Sequence, residues 1–169
     1  RNGGFVFGGY SLGPRALVSQ VGKDKAKDLY QLTIAAVDLI RQRISKYQID
    51  CDLVDQGVLL ANWFKDQSLL FKEQRFMQDV MQVDWQYIKP EELKSQINSE
   101  RYTGALYEPN AMHFHPLNYA QGIAAEILKQ GGKIVEDCEV LDLDYKNPIK
   151  VVSTTQGKVR CKNVVLAGG

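Results

Sequence analysis

The last seven residues, Asn163-Val164-Val165-Leu166-Ala167-Gly168-Gly169, constrain the fold more than any other stretch of the chain. A short unbroken apolar run closed by two glycines reads as a strand buried on both faces, the mark of a parallel sheet covered by helices. The glycines leave backbone bare at its carboxyl end, and that edge is where open α/β sheets take their ligands. The run comes last, and the chain starts at Arg1-Asn2-Gly3-Gly4 with no Met before it. The sequence therefore reads as a piece of a longer protein.

The preceding segments fit an α/β arrangement. Five glycines, Gly3, Gly4, Gly8, Gly9 and Gly13, crowd the stretch before Pro14. They imply unusual backbone conformations or close packing on a ligand, with a flexible surface loop as the plain alternative. No Gly-x-Gly-x-x-Gly or Walker pattern is present. Residues 23 to about 49 carry Ala26, Tyr30, Val37, Ile40 and Ile44 near helical spacing, and their polar face mixes both charges as a solvated face does. Two β-prone arms around Gly57 predict a hairpin or a bulged strand over residues 52–62. A second helix is expected over residues 66–81, with Leu69, Leu70, Phe76, Met77, Val80 and Met81 as core, and Pro90 opens a short third.

Residues 103–114 read as two extended pieces broken at Pro109-Asn110, and Pro116 opens a helix that ends at Gly131-Gly132. Lys133-Ile134-Val135-Glu136 would then be a strand, the αβ half of a parallel unit. From Cys138 the pattern changes to period two. Strands over residues 139–145, 149–154 and 158–161, with turns at Asn147-Pro148 and Gln156-Gly157, form a β-meander set between two strands of the parallel sheet.

Composition limits the partners. A formal charge of +1 with interspersed signs leaves no footprint for nucleic acid or an anionic membrane. No apolar run approaches the roughly 20 residues that span a bilayer. Cys51, Cys138 and Cys161 stand far apart without a Cys-x-x-Cys, which suggests buried thiols, a reducing compartment and a cytoplasmic location.

Five motifs occur in a telling order: Arg1-Asn2-Gly3-Gly4; Gly104-Ala105-Leu106-Tyr107-Glu108-Pro109; His113-Phe114-His115-Pro116-Leu117 before a helix; Gly131-Gly132-Lys133-Ile134 with Val140; and the closing run. In that order the chain resembles the FAD-dependent oxidoreductases of the D-amino-acid oxidase superfamily, and looks most like the γ-glutamylputrescine oxidoreductase branch. The resemblance implies an α/β fold: part of a Rossmann-like FAD-binding domain with an inserted β-meander, plus part of an α+β substrate domain. Residues 1–51 and 109–169 would belong to the FAD domain and residues 52–108 to the substrate domain. It also implies that Arg1, Asn2, Gly3 and Gly4 pass beside the flavin and its phosphate linker. Val140 would meet the adenine with its backbone, and Ala167, Gly168 and Gly169 would close over the cofactor. The fingerprint that holds the pyrophosphate lies upstream of the Arg-Asn-Gly-Gly run in such enzymes, so this chain alone should bind FAD weakly or not at all.

The chemistry implied is oxidation of the carbon–nitrogen bond of a small amine or amino acid, with hydride passing to the flavin. No side-chain base is required, and the catalytic residues stay unassigned. His113 and Tyr107 are candidates to line the substrate cavity, with Trp63 and Trp85 as further aromatics there, although buried aromatics are usually packing. His113 and His115 at i and i+2 could face one side of a strand as metal ligands, with Glu108 as a third from afar, but the ligand set is incomplete and no metal is expected. His115 fits better as a structural residue ahead of the helix at Pro116. Two rival readings remain: a non-catalytic α/β binding or assembly module, which predicts a large exposed apolar patch, and a Rossmann-like sheet using NAD(P) alone.

Overall fold

The computed structural model describes residues 3–168. The chain divides into two units after Glu126, a boundary that falls inside one continuous helix.

The first unit is arranged along a single long helix. A two-residue strand β1 (Phe5–Val6) leads to α1 (Pro14–Val21) and then, after Gly22, to α2 (Lys23–Tyr47). The buried residues of α2 are Ala26, Tyr30, Val37 and Ile44, one stripe at helical spacing. Its first half packs into a core with Leu17, Leu70, Met77, Met81, Trp85 and Leu106. Its second half packs with Ile49, Cys51, Met112 and Phe114. α2 ends in a Schellman turn: Gln48 takes φ 50°, and the Ile49 N–H donates to the Ile44 carbonyl at 3.0 Å.

β2 (Val58–Ala61), β3 (Gln86–Ile88) and β4 (Ala105–Glu108) form an antiparallel sheet in the order β2-β4-β3. Of the two alternatives expected around Gly57, a hairpin or a bulged strand, the hairpin does not form. Val54 instead bridges to His113, and β2 pairs with β4. The chain bends between them at Gly57, where φ is 72° and the Tyr107 ring lies against the backbone, leaving no room for a Cβ. The second expected helix is α3 (Ser68–Phe76), continued by one π-helical turn over Met77–Met81. Gln31 Nε2 satisfies the Met81 carbonyl at 2.8 Å. α4 (Pro90–Gln96) follows β3, with Pro90 at its start. A helix not anticipated from the sequence, α1, is held to α3 by Arg15, whose guanidinium pairs with Glu73 at 2.9 Å and lies 4.0 Å over the Phe76 ring. β5 (Met112–His113) pairs with β1 and leads to α5 (Pro116–Lys129).

The second unit begins within the last turn of α5, which the glycines close as expected. The Gly132 N–H donates to the Ile127 carbonyl at 2.9 Å and the Gly131 N–H to the Leu128 carbonyl at 3.0 Å. The meander forms as an antiparallel sheet of β6 (Val140–Asp144), β7 (Lys150–Thr154) and β8 (Gly157–Cys161), with a bulge between Val140 and Asp142.

The two strands expected on either side of it do not form. Residues 133–136 and 163–168 are without strand pairing, and Val165 and Leu166 stand 87% and 82% exposed instead of buried on both faces. A parallel strand exists only through its neighbours, and the described residues contain no parallel pairing for either run to join. The thiols also differ from expectation in part: Cys51 is buried, Cys138 and Cys161 are half-buried, and all three are free.

Candidate functional site

The glycine segment at the head of the chain is held on two sides. Gly4 is buried at φ 79°, and its carbonyl accepts the Phe114 N–H at 3.0 Å. A Cβ there would stand 2.2 Å from the Phe114 carbonyl oxygen, so only glycine fits. Phe5 then pairs with His113 and Val6 with Met112. On the far edge of β5, the Val54 and His113 backbones exchange hydrogen bonds of 2.9 and 3.0 Å, so His113 sits at the centre of a small ribbon. Its side chain is exposed, with the Phe5 ring 5.9 Å away.

Beyond Val6 the segment lies along α2. Gly9 donates its N–H to Thr33 Oγ1 at 2.8 Å, and the Tyr10 hydroxyl donates to the Leu29 carbonyl at 3.2 Å. A groove of about 350 Å3 runs beside it, lined by Val6, Phe7, Gly9, Tyr10, Thr33 and Val37 among others. Gly3 is exposed, and among the described residues only the Phe5 ring comes within 4 Å of where its Cβ would stand.

The other expected cofactor residues lie in the second unit. Val140 opens β6 and lines a cleft of about 410 Å3 with Val135, Cys138, Thr154, Gln156 and Lys158. Ala167 and Gly168 are exposed, and none of the described residues stands within 4 Å of a Cβ placed at Gly168. Arg1, Asn2 and Gly169 lie outside the described residues. Bare backbone with open space beside it, as at Gly168, fits a flavin or its phosphate linker in kind.

The candidate cavity residues divide. Tyr107 is already engaged: its hydroxyl donates to the Gln56 carbonyl at 3.1 Å and its ring covers Gly57. Trp63 is 53% exposed, stacked on Tyr102 and capped by the Arg101 guanidinium 3.7 Å above its ring. It lines a cleft of about 530 Å3 with Leu59, Asn62, Phe64 and Leu106. Trp85 is core packing. His115 acts as a helix cap: its carbonyl accepts the Tyr119 N–H at 3.1 Å and its Nδ1 accepts the Asn118 N–H at 3.3 Å.

Asn62 was not singled out in the sequence, and Glu108 was named there only within a motif and as a distant metal ligand. Asn62 is buried and fixes the turn after β2, donating from Nδ2 to the Phe64 carbonyl at 2.8 Å and to Thr103 Oγ1 at 3.1 Å. Glu108 is 3% exposed, its carboxyl faces the Gly8 backbone N–H, and its Oε1 has no partner. Burial pushes its carboxyl above the ordinary range, and the Gly8 N–H opposes that. Burial also pushes the Tyr30 hydroxyl up, helped by the charges of Glu108 and Glu73. Strand alternation was the available signal, since it places Glu108 on the same face of β4 as the core residue Leu106.

A family model described as FAD dependent oxidoreductase matches residues 1–169. Over 99% of its length the chain is 32% identical to a Haemophilus influenzae protein described as probable oxidoreductase OrdL, and 32% identical to the γ-glutamylputrescine oxidoreductase of Escherichia coli. It spans 39% of the length of each of these curated relatives. Among solved structures, the L-amino acid deaminase of Proteus myxofaciens superposes with a TM-score of 0.76 at 23% identity, over 100% of this chain and 36% of that one. At that identity the likeness is one of fold.

Proposed function

The chain belongs to the FAD dependent oxidoreductase family, and from that premise we propose that the full-length protein oxidises a carbon–nitrogen bond of a small amine or amino acid. The observation that carries the substrate class is the 32% identity, over 99% of the chain, to a γ-glutamylputrescine oxidoreductase. The chemistry FAD supplies when bound is acceptance of a hydride from the carbon that bears the nitrogen.

The residues of this chain would bind and orient. Residues 1–51 and 109–169 are assigned to the FAD domain and residues 52–108 to the substrate domain. Gly3 and Gly4 would present backbone to the flavin side, where the Phe114 bond keeps Gly4 in its left-handed conformation. Val140 would offer its backbone to the adenine at the cleft it lines, and Ala167 and Gly168 would close on the cofactor. Arg1, Asn2 and Gly169 complete the proposed set. His113, exposed beside Phe5, is the stronger cavity candidate, because the Tyr107 hydroxyl is already committed to Gln56. Binding energy from such contacts is spent on holding the reacting carbon in line, which is how a protein accelerates a reaction whose electronics belong to the cofactor.

A second reading, a binding or assembly module without catalysis, draws on exposed apolar side chains, Leu117 in the first unit and Leu128, Val165 and Leu166 in the second. One experiment separates the two. The visible absorption spectrum of the full-length protein is recorded, and γ-glutamylputrescine, simple polyamines and amino acids are added without oxygen. A flavin spectrum that bleaches with one of them supports the oxidoreductase and names its substrate class. A colourless protein that takes up no added FAD leaves the module.

A further inference from the structure

The ribbon of β1 and β5 pairs only two residues on each side, too few to fix the glycine segment beyond Val6. Past that point the backbone turns inward, and Gly8 is buried so close to α2 that a Cβ would stand 2.5 Å from Ile34 Cδ1. Two groups meet it there. Thr33 accepts the Gly9 N–H from the α2 side, and the Glu108 carboxyl faces the Gly8 N–H from the sheet. Glu108 is the less ordinary of the two, a carboxyl 3% exposed with one oxygen unpartnered. Among the described residues no lysine, arginine or histidine forms an ion pair with it.

We propose that Glu108 is a positioning residue: its buried carboxyl fixes Gly8 and so sets the path of the backbone from Gly4 to Gly9 on which cofactor binding depends. This rests on the FAD-binding reading above. A buried carboxylate with a single donor is costly, whereas a neutral carboxyl can still accept the Gly8 N–H. The groups that face it agree. Tyr30 approaches from α2, with Glu73 of α3 acting on the same hydroxyl, and neither offers positive charge. Because folding raises the Glu108 value, the folded protein keeps this proton longer than the unfolded chain does. Its burial is therefore without penalty in acid and becomes costly as pH climbs past the ordinary carboxylate range through the raised one. Above that window the side chain is driven toward water and the Gly8 clamp loosens.

The test uses the full-length protein and its Glu108→Gln and Glu108→Ala variants. Two quantities are measured from about pH 5 to about pH 9: FAD affinity, by fluorescence titration of the apoprotein, and hydrogen-exchange protection of residues 3–9 without FAD. Glu108→Gln keeps an acceptor for Gly8 but cannot ionise. It should hold FAD within about twofold of the parent at low pH and lose the parent's decline in protection as pH rises. Glu108→Ala should lose about tenfold in affinity and lose protection across residues 3–9 at every pH, with its far-UV circular dichroism intact. Should Glu108→Ala not fold, the Glu108→Gln profile decides. Parent-like protection in Glu108→Ala, or a parent-like pH profile in Glu108→Gln, would overturn the proposal. If the unmodified protein takes up no FAD, the functional reading fails by itself, and the exchange data still judge the clamp.

Discussion

Gly4 and Gly8 look alike in the sequence and differ in what surrounds them. A Cβ at Gly4 meets a backbone carbonyl at 2.2 Å in a left-handed conformation, and neither the carbonyl nor the torsion can give way cheaply. A Cβ at Gly8 meets the end of the Ile34 side chain, which can turn aside. Gly4→Ala should therefore lower stability by about 1–3 kcal/mol and Gly8→Ala by clearly less, as read from urea unfolding midpoints. Equal losses would refute the distinction. Arg41 offers a second residue-scale test. It pairs with Asp38 on α2 and grips both carboxylate oxygens of Asp55, tying the helix to the chain before β2, with its Nη2 2.8 Å from Asp55 Oδ1. The Arg41 bond holds the Asp55 carboxyl below its ordinary value. Folding thus lowers this value, so its contribution is present above the unfolded carboxylate range and is lost as pH falls through the lowered one. Both side chains are about a third exposed, which limits the effect. Asp55→Asn should cost about 0.5–1 kcal/mol at neutral pH and nothing measurable in acid, where the two unfolding curves converge.

At the scale of elements, the legible parts were those whose signals are local. Pro116 and Gly131-Gly132 bracket α5, and Asn147-Pro148 and Gln156-Gly157 mark the turns of the meander; all four behave as their backbone chemistry requires. The illegible parts depend on neighbours. Gly57 separates two arms that look like a hairpin or a bulged strand; the arms find different partners, and nothing within residues 52–62 encodes which. α1 hides behind five glycines, with only Pro14 to announce it. Glu108 was visible as a residue, and strand alternation could have placed it inside, but its tie to Gly8 spans the whole first unit. One element also carries a correctable flaw. Gln48 ends α2 in a left-handed conformation that suits glycine, which costs a side chain about 1 kcal/mol or more. Its amide recovers part of this by donating to the Ser45 carbonyl, an exposed bond of modest worth. Gln48→Gly should accordingly stabilise the protein by about 0.5 kcal/mol, and a lower melting midpoint would show that the amide bond dominates.

Of the residues the family resemblance implies for the cofactor, Gly3 and Gly4 belong to the first unit and Val140, Ala167 and Gly168 to the second. Neither unit holds the glycine fingerprint whose helix start would take the pyrophosphate, since no Gly-x-Gly-x-x-Gly occurs in the 169 residues. Charge on the diphosphate is where such sites gain much of their affinity, so a chain that offers only flanking backbone contacts retains a minor share. The apolar run at Val165 and Leu166, more than four-fifths exposed, points the same way: a strand in a covered sheet keeps such residues dry, and among the described residues no paired strand protects them. Produced alone, residues 1–169 should bind FAD at least about a hundredfold more weakly than the full-length protein, a gap of roughly 3 kcal/mol. They should also bind an apolar dye such as anilinonaphthalene sulfonate, which the full-length protein should not. Flavin fluorescence quenching and dye emission measure the two effects in parallel. Tight FAD binding by this chain alone would mean that the glycine segment and the meander cleft suffice for the cofactor, and the pyrophosphate argument would have to be abandoned.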